Sequence, residues 1–364
     1  MTTTETTTPA TTPTDELAEH VVGSVLGAME ALSIYLGDRL GWYDALAEHG
    51  PMTSIALAEL TSTDERYARE WLEQQAATGF VECADPSEPT DRRRFHLDEA
   101  QREVFAEVDN LAFVRPFGLF VGALGRNVDE LCEAYRSGTG ISWDEVGDAA
   151  RQAQAAANRP MFLNLLGAEY LPSLPDVDEA LRSGGSVADI GCGFGWSSVG
   201  MAQAYPTATV DGFDLDRPSI AEATSIATAR GLEDRVRFHA VDAAEAVGAG
   251  SYDLVTAFEC IHDLPDPVSV LASMRRLVRP GGTVLVMDER VGDHFAGRAD
   301  EVERIFYGFS LLCCLPDGRA HDHSVATGTV MRRSTLERYA TDAGFATLEV
   351  LPIDNDFFRF YRLR

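Results

Sequence analysis

Lysine is absent from this chain: all 30 basic residues are arginine, set against 58 acids for a formal net charge of −28. An acidic excess of that size favours solubility but repels phosphate backbones, which makes nucleic acid a poor general partner. The missing lysine reads as genome composition rather than mechanism, and a salty cytoplasm would favour the same acidity. Paired-cysteine motifs are also lacking. Cys83, Cys132, Cys192, Cys260, Cys313 and Cys314 form no CxxC and no zinc-like spacing, so they read as reduced thiols, mostly buried. Cys313 and Cys314 fall in an apolar helix expected over residues 305–315. No apolar run approaches the roughly 18 residues that cross a membrane, and the most apolar stretch outside the expected strands, 111–124, is broken by Arg115 and Pro116. No basic segment followed by an apolar core opens the chain, so no secretory signal is expected and the protein reads as cytoplasmic.

What is present suits two domains. The chain has 364 residues, 45% of them hydrophobic and 24% charged, which is enough for two cores. Residues 1–13 are nearly all Thr and Pro and are expected to be a disordered tail. Over 14–98 the pattern turns helical. Leu17, Val21, Val25, Met29 and Leu32 recur at three- and four-residue steps, and a second helix is expected from Asp38 to His49, stopped by Gly50 and Pro51. A helix over 52–60 follows, with Thr53 or Ser54 as its cap, then one capped by Asp64 and closed by Gly79, then two short strands around a polar loop. That order is a winged helix. Its functional reading is DNA binding, and its alternative is dimerisation or substrate shaping. Residues 1–98 hold eighteen acids and six arginines, a net of −12, which favours the alternative because a DNA reader needs a basic face. The one basic cluster, Arg92, Arg93 and Arg94, sits in the expected wing. Residues 99–182 read as a helical linker that could roof a pocket.

From residue 183 strands and helices alternate to the end of the chain. Five strands, over 187–190, 209–213, 236–240, 254–258 and 283–287, are separated by helical segments, so a parallel sheet covered on both faces is expected. A helix over 335–343 and a hairpin over 346–352 and 357–363 close it, with one strand antiparallel. The first strand runs Val-Ala-Asp-Ile-Gly-Cys-Gly-Phe-Gly over 187–195. Glycines at 191, 193 and 195 permit a tight turn and close backbone approach to a ligand at a helix N-terminus. A nicotinamide or flavin site is the alternative. Against it, Trp196 stands where a dinucleotide fingerprint has its third glycine, Asp189 precedes the loop in position to meet a cationic amino group, and Pro280-Gly281-Gly282 with the closing hairpin are foreign to dinucleotide domains.

The run over 187–195 resembles the first motif of class I S-adenosylmethionine-dependent methyltransferases, and the resemblance extends over about 186–364. The whole chain is similar to bacterial methyltransferases joined to an N-terminal winged helix, most visibly in the blocks 187–198 and 326–331 and in the tail 351–363. The resemblance implies an α/β fold: a Rossmann-like seven-stranded sheet with an antiparallel last strand, beside an N-terminal all-helical or winged-helix domain. The implied cofactor is S-adenosyl-L-methionine, held by Asp189, Gly191, Gly193, Gly195, Asp214, Leu215, Asp242, Ala243 and Glu259. Asp214 ends the second strand, 23 positions past Gly191, where a carboxylate accepts the ribose hydroxyls. Asp242 aligns with the acid that receives the adenine amino group, with Ala243 beside it. The alternatives are a turn residue for Asp214 and a helix N-cap for Asp242.

After the fourth strand, His262-Asp263 resembles the loop of small-molecule O-methyltransferases in which that histidine is the general base. Leu264 replaces the Trp that usually follows the pair. An imidazole with pKa about 6.5 can accept a proton near neutral pH, with Asp263 orienting it; a loop histidine that only orders the turn is the alternative. His294, His321 and His323 lie in the long segment after the fifth strand, and with His262 and Asp263 they could bind a metal, but none has helical ligand spacing, so no metal is expected. The expectation is therefore a cytoplasmic small-molecule methyltransferase, an O-methyltransferase with a histidine base, dimeric through its N-terminal helices. Metal-assisted C-methylation of a 2-keto acid is the rival within enzymes, and a cofactor-sensing winged-helix regulator is the rival outside them.

Overall fold

Pro13 fits the first turn of a helix because that turn needs no N–H from it. Thr12 and Asp15 cap the same turn reciprocally, opening α1 (Pro13–Arg39). The computed structural model describes residues 12–246 and 250–364. The tail expected over 1–13 lies outside them except at its end, where Pro13 is already helical. The chain forms two compact units.

The first unit runs to Ala106 and takes in Phe117–Gly122, which belong to α6 (Arg115–Gly125). After α1 come α2 (Trp42–His49), α3 (Ser54–Thr61) and α4 (Glu65–Thr78), then β1 (Glu82–Cys83), β2 (Phe95–His96) and α5 (Glu99–Phe105). Thr53 and Asp64 cap α3 and α4 as the sequence suggests. The second helix starts later than expected, at Trp42: Asp38 and Arg39 still belong to α1, and Gly41 turns the chain with φ +69°. Trp42, Tyr43, Leu57, Trp71, Leu72, Phe95 and Phe105 form the core, with Tyr43 stacked on Phe105 at 4.7 Å. In the wing, Arg93 pairs with Glu73 at 2.6 Å, Arg92 reaches Glu88 at 4.0 Å and Arg94 donates to the carbonyl of Pro51.

The C-terminal part of α1 is anchored, since Trp71 Nε1 donates to Ser33 O at 2.9 Å. Towards the N-terminus, Leu17, Val21, Val25, Met29 and Leu32 are exposed. By length and composition α1 could cross a membrane, which corrects the expectation that no stretch reaches that length. α1 has no unbroken apolar run of that length, and it reaches span-like hydropathy as an average that tolerates isolated acids.

In the second unit α7 (Val128–Ser137), α8 (Trp143–Val146), α9 (Asp148–Met161) and α10 (Pro175–Arg182) precede the sheet. The sheet alternates β3 (Ser186–Ile190), α11 (Trp196–Ala204), β4 (Thr209–Asp214), α12 (Arg217–Ala229), β5 (Val236–Ala240), β6 (Tyr252–Phe258), α13 (Pro267–Leu277) and β7 (Val278–Glu289). After α14 (Glu301–Phe309), α15 (Leu315–Arg319) and α16 (Arg333–Asp342), β8 (Leu348–Val350) and β9 (Phe358–Leu363) close it. The seven strands lie in the order β5-β4-β3-β6-β7-β9-β8. β3 to β7 are mutually parallel, and β9 runs antiparallel between β7 and β8. The helix expected over 305–315 is instead α14 and α15 joined by a π-helical turn, Ser310–Cys314. The order of connection reverses at β3, and in such sheets ligands bind beyond the strand ends at that reversal.

Candidate active site

At the end of β3 the loop 191–195 turns with positive φ at Gly191, Gly193 and Gly195. At Gly191 no other residue fits, because a Cβ would stand 2.7 Å from Cys260 Sγ. Asp189, 1% exposed, accepts the hydroxyls of Ser197 and Ser198, each at 2.6 Å, and of Thr256 at 2.7 Å. Burial raises its pKa and the three hydroxyls oppose the rise. Asp189 therefore fastens β3 to α11 and β6. Its carboxylate is engaged by these three hydroxyls.

Asp214, at the tip of β4, accepts from the Gly193 N–H and the Asp216 N–H, both at 2.8 Å. Burial raises its pKa against those two bonds. Asp216 caps α12 and takes a two-point contact from Arg151, both bonds at 2.9 Å. Leu215 between them is exposed. Asp242 is exposed and caps a short turn by accepting from Ala244 N at 2.8 Å, the alternative weighed for it, with Ala243 the turn's first residue.

At the end of β6, Glu259 has φ +53°, a left-handed conformation unusual for a residue with a side chain. Gln154 of α9 donates to its Oε2 at 3.2 Å, and Asn158 of the same helix lies near the carboxyl. Its Oε1 is shielded from solvent without a partner. Burial pushes its pKa up to about 7, with Asn158 and the positive field of His262 opposing.

His262, 2% exposed, is ringed by carboxylates. Its Nδ1 lies 2.9 Å from both Asp288 Oδ1 and Glu289 Oε2, and its Nε2 3.2 Å from Asp263 Oδ1. Burial opposes its charge, but Asp263, Glu289 and Asp288 override burial and hold its pKa well above 6.5. Burial also lifts Glu289, helped by the neighbouring Asp288, whereas Asp288 stays low despite burial because it faces the imidazole. The imidazole is thus oriented through Nδ1 by Asp288, with Glu289 beside the same nitrogen. Asp263, expected to orient it, sits on the opposite nitrogen.

The structure brings Glu259, His262 and Asp263 together beside the glycine loop and places Asp214 on that loop. It does not bring His294, His321 or His323 to His262. Among the described residues two groups around the imidazole could hold a metal ion, His262 with Asp263 and Cys314, and His262 with Asp288 and Glu289. Sequence reading missed Asp288 and Glu289, which only the β6–β7 pairing brings near. It also missed Arg151, Gln154 and Asn158, although their spacing of three and four marks one polar face of the alanine-rich α9. An open-sided space of about 490 Å³, lined by residues such as Asp211, Phe213, His239 and Tyr252, contains none of the expected site residues.

A family model described as a methyltransferase domain matches residues 181–313. A second, described as an Rv2258c-like winged HTH domain, matches residues 28–99. A ubiquinone biosynthesis O-methyltransferase from Aromatoleum aromaticum is 36% identical over 171 residues, covering 46% of this chain and 67% of that protein. Among solved structures, mitomycin 7-O-methyltransferase MmcR superposes with a TM-score of 0.67 at 22% identity, over 96% of this chain and 98% of that one. Human N-acetylserotonin methyltransferase, solved in complex with SAM, gives 0.71 at 17% identity over 96% and 98%. At such identities these two likenesses speak for the fold.

Proposed function

This chain belongs to the S-adenosylmethionine-dependent methyltransferases, and on that premise we propose that it methylates a hydroxyl of a small aromatic or polyketide-like metabolite with His262 as the base. The observation that carries the proposal is the buried imidazole at the end of β6, held through Nδ1 by Asp288 at 2.9 Å.

The cradle fits the cofactor. Gly191 leaves no room for a side chain, and Asp214 already grips the loop N–H of Gly193. Asp214 would take the ribose, Asp242 and Ala243 the adenine edge, and Leu215 one face of the adenine ring, while the loop 191–195 and Glu259 border the methionine end. Asp189 and the Arg151–Asp216 pair position these groups. When bound, the cofactor supplies an electrophilic methyl group.

The protein's own part is to hold the acceptor and take its proton. The hydroxyl proton passes to His262 Nε2, and the charge that forms is stabilised through Nδ1 by the Asp288 carboxylate. Asp263, beside Nε2, shares hydrogen bonding to the acceptor. Because the surrounding carboxylates favour imidazolium, the neutral, base-competent form becomes populated above neutral pH. The reading extends to assembly: the exposed face of α1 pairs with its copy in a homodimer. The direct test is incubation of the purified protein with labelled S-adenosylmethionine and a panel of phenols and a cell extract. Label in a methyl ether supports the reading, and label on carbon or nitrogen overturns it.

A further inference from the structure

We propose that the Glu259 carboxylate is the counter-charge by which the site distinguishes S-adenosylmethionine from its demethylated product, holding the sulfonium form and not the neutral thioether. The inference rests on the cofactor reading above and goes beyond it, since that reading needs Glu259 only as a border of the site.

The sheet order places the carboxylate. With adenine at the end of β5 and ribose at Asp214 on β4, the cofactor runs towards β3, and its methionine end reaches the β3–β6 junction. The acceptor lies further on, at His262. The sulfonium must sit between ribose and acceptor, and Glu259, the residue after β6, stands in that interval. β6 pairs with β3 up to Ile190, and Cys260, the next residue, packs against Gly191.

The local chemistry agrees. Glu259 holds a backbone conformation that disfavours a Cβ, at φ +53°, and residues kept in such conformations cluster at functional sites. Its Oε2 is bonded from α9 by Gln154, while Oε1 is shielded and unpartnered. The charged groups that face it are His262 and Asp288, and α9 contributes the amides of Gln154 and Asn158. A half-buried carboxyl whose shielded Oε1 has no partner is costly as an anion until a cation arrives, and its pKa of about 7 reflects that cost. The two forms of the cofactor share their ammonium and carboxylate and differ at sulfur by one methyl and one positive charge. A carboxylate at the sulfur therefore separates them, whereas one at the ammonium does not.

The test is calorimetric binding of S-adenosylmethionine, S-adenosylhomocysteine and sinefungin, which carries an ammonium near the sulfonium position, to the full chain and to Glu259→Gln. The wild-type protein is expected to bind both ligands that are cationic at that position at least about tenfold more tightly than the thioether. In the variant that preference should shrink by roughly tenfold to a hundredfold, with thioether affinity unchanged. An unchanged preference overturns the proposal, and so does equal weakening of all three ligands, which would assign Glu259 to the shared ammonium. If the variant does not fold, equal affinities of the wild-type protein for the three ligands overturn it. If the wild-type protein binds none of the three, the cofactor reading itself has failed.

Discussion

His262 and Asp288 stand 26 positions apart, on the loop after β6 and at the end of β7, with Nδ1 and Oδ1 2.9 Å from each other and both side chains 2% exposed. A carboxylate in that place fixes the ring's orientation and stabilises its protonated form. The same contact makes the resting imidazole a reluctant base, because Asp263 and Glu289 add their fields to it.

Turnover should therefore rise as pH increases beyond the ordinary histidine range. The charged groups facing the ring are Asp263, Asp288 and Glu289, with Glu259 nearby. Asp288→Asn should move the rise to lower pH. His262→Ala should remove the rise and lower kcat by roughly 10²–10⁴-fold, the usual contribution of a positioned base, while cofactor affinity holds. A pH–rate profile unchanged in both variants refutes the base.

Asp214→Ala should weaken S-adenosylmethionine binding by about 2–3 kcal/mol, the worth of a charge-assisted two-point contact. Part of that loss would come from the glycine loop, which loses its anchor at Gly193 N. Calorimetry that finds unchanged affinity, or tight binding of NAD to the parent protein, excludes this cofactor geometry.

Glu259 also gives the ligand-free protein a signed dependence on pH. Its carboxyl titrates at about 7 in the fold against 4.5 ordinarily. The folded state keeps the proton longer, so the contribution is complete below about pH 4.5 and is lost as pH rises through about 7, by about 3 kcal/mol. Urea unfolding at pH 5 and pH 8 should show a smaller fall in Glu259→Gln than in the parent; parallel falls contradict the assignment.

Chelation separates the two enzyme readings. EDTA is expected to leave activity intact. Loss with EDTA and recovery with Fe²⁺ or Zn²⁺ would make His262 a ligand within one of the two groups that surround it, and would favour methylation at carbon beside a keto acid.

Assembly should depend on α1. Light scattering at micromolar concentration is expected to give a dimer for the full chain. Removal of residues 1–32 should give a monomer, since Ser33 and Gly37 still meet Trp71. A monomeric full chain, or insertion of α1 into lipid vesicles, contradicts the dimer.

The strand-and-helix alternation, the caps at Thr53 and Asp64, and the glycine loop with its acids were legible in the sequence because each depends on residues close together in the chain. Periodicity and turn chemistry are local, and the loop 191–195 carries its own conformational demand. The boundary between α1 and α2 was less legible, since the helical pattern runs on past Asp38 and only Gly41 breaks it. Of the surroundings of His262, only the adjacent Asp263 was legible. Asp288 and Glu289 reach it because β6 and β7 pair in parallel, Gln154 and Asn158 reach Glu259 because α9 lies over the end of β6, and Cys314 comes near His262 after a π-helical turn. Those contacts join residues that nothing in the linear order couples. The sequence determined that a histidine and a glycine loop would stand at the ends of the strands, and tertiary packing decided which carboxylates set the charge of each.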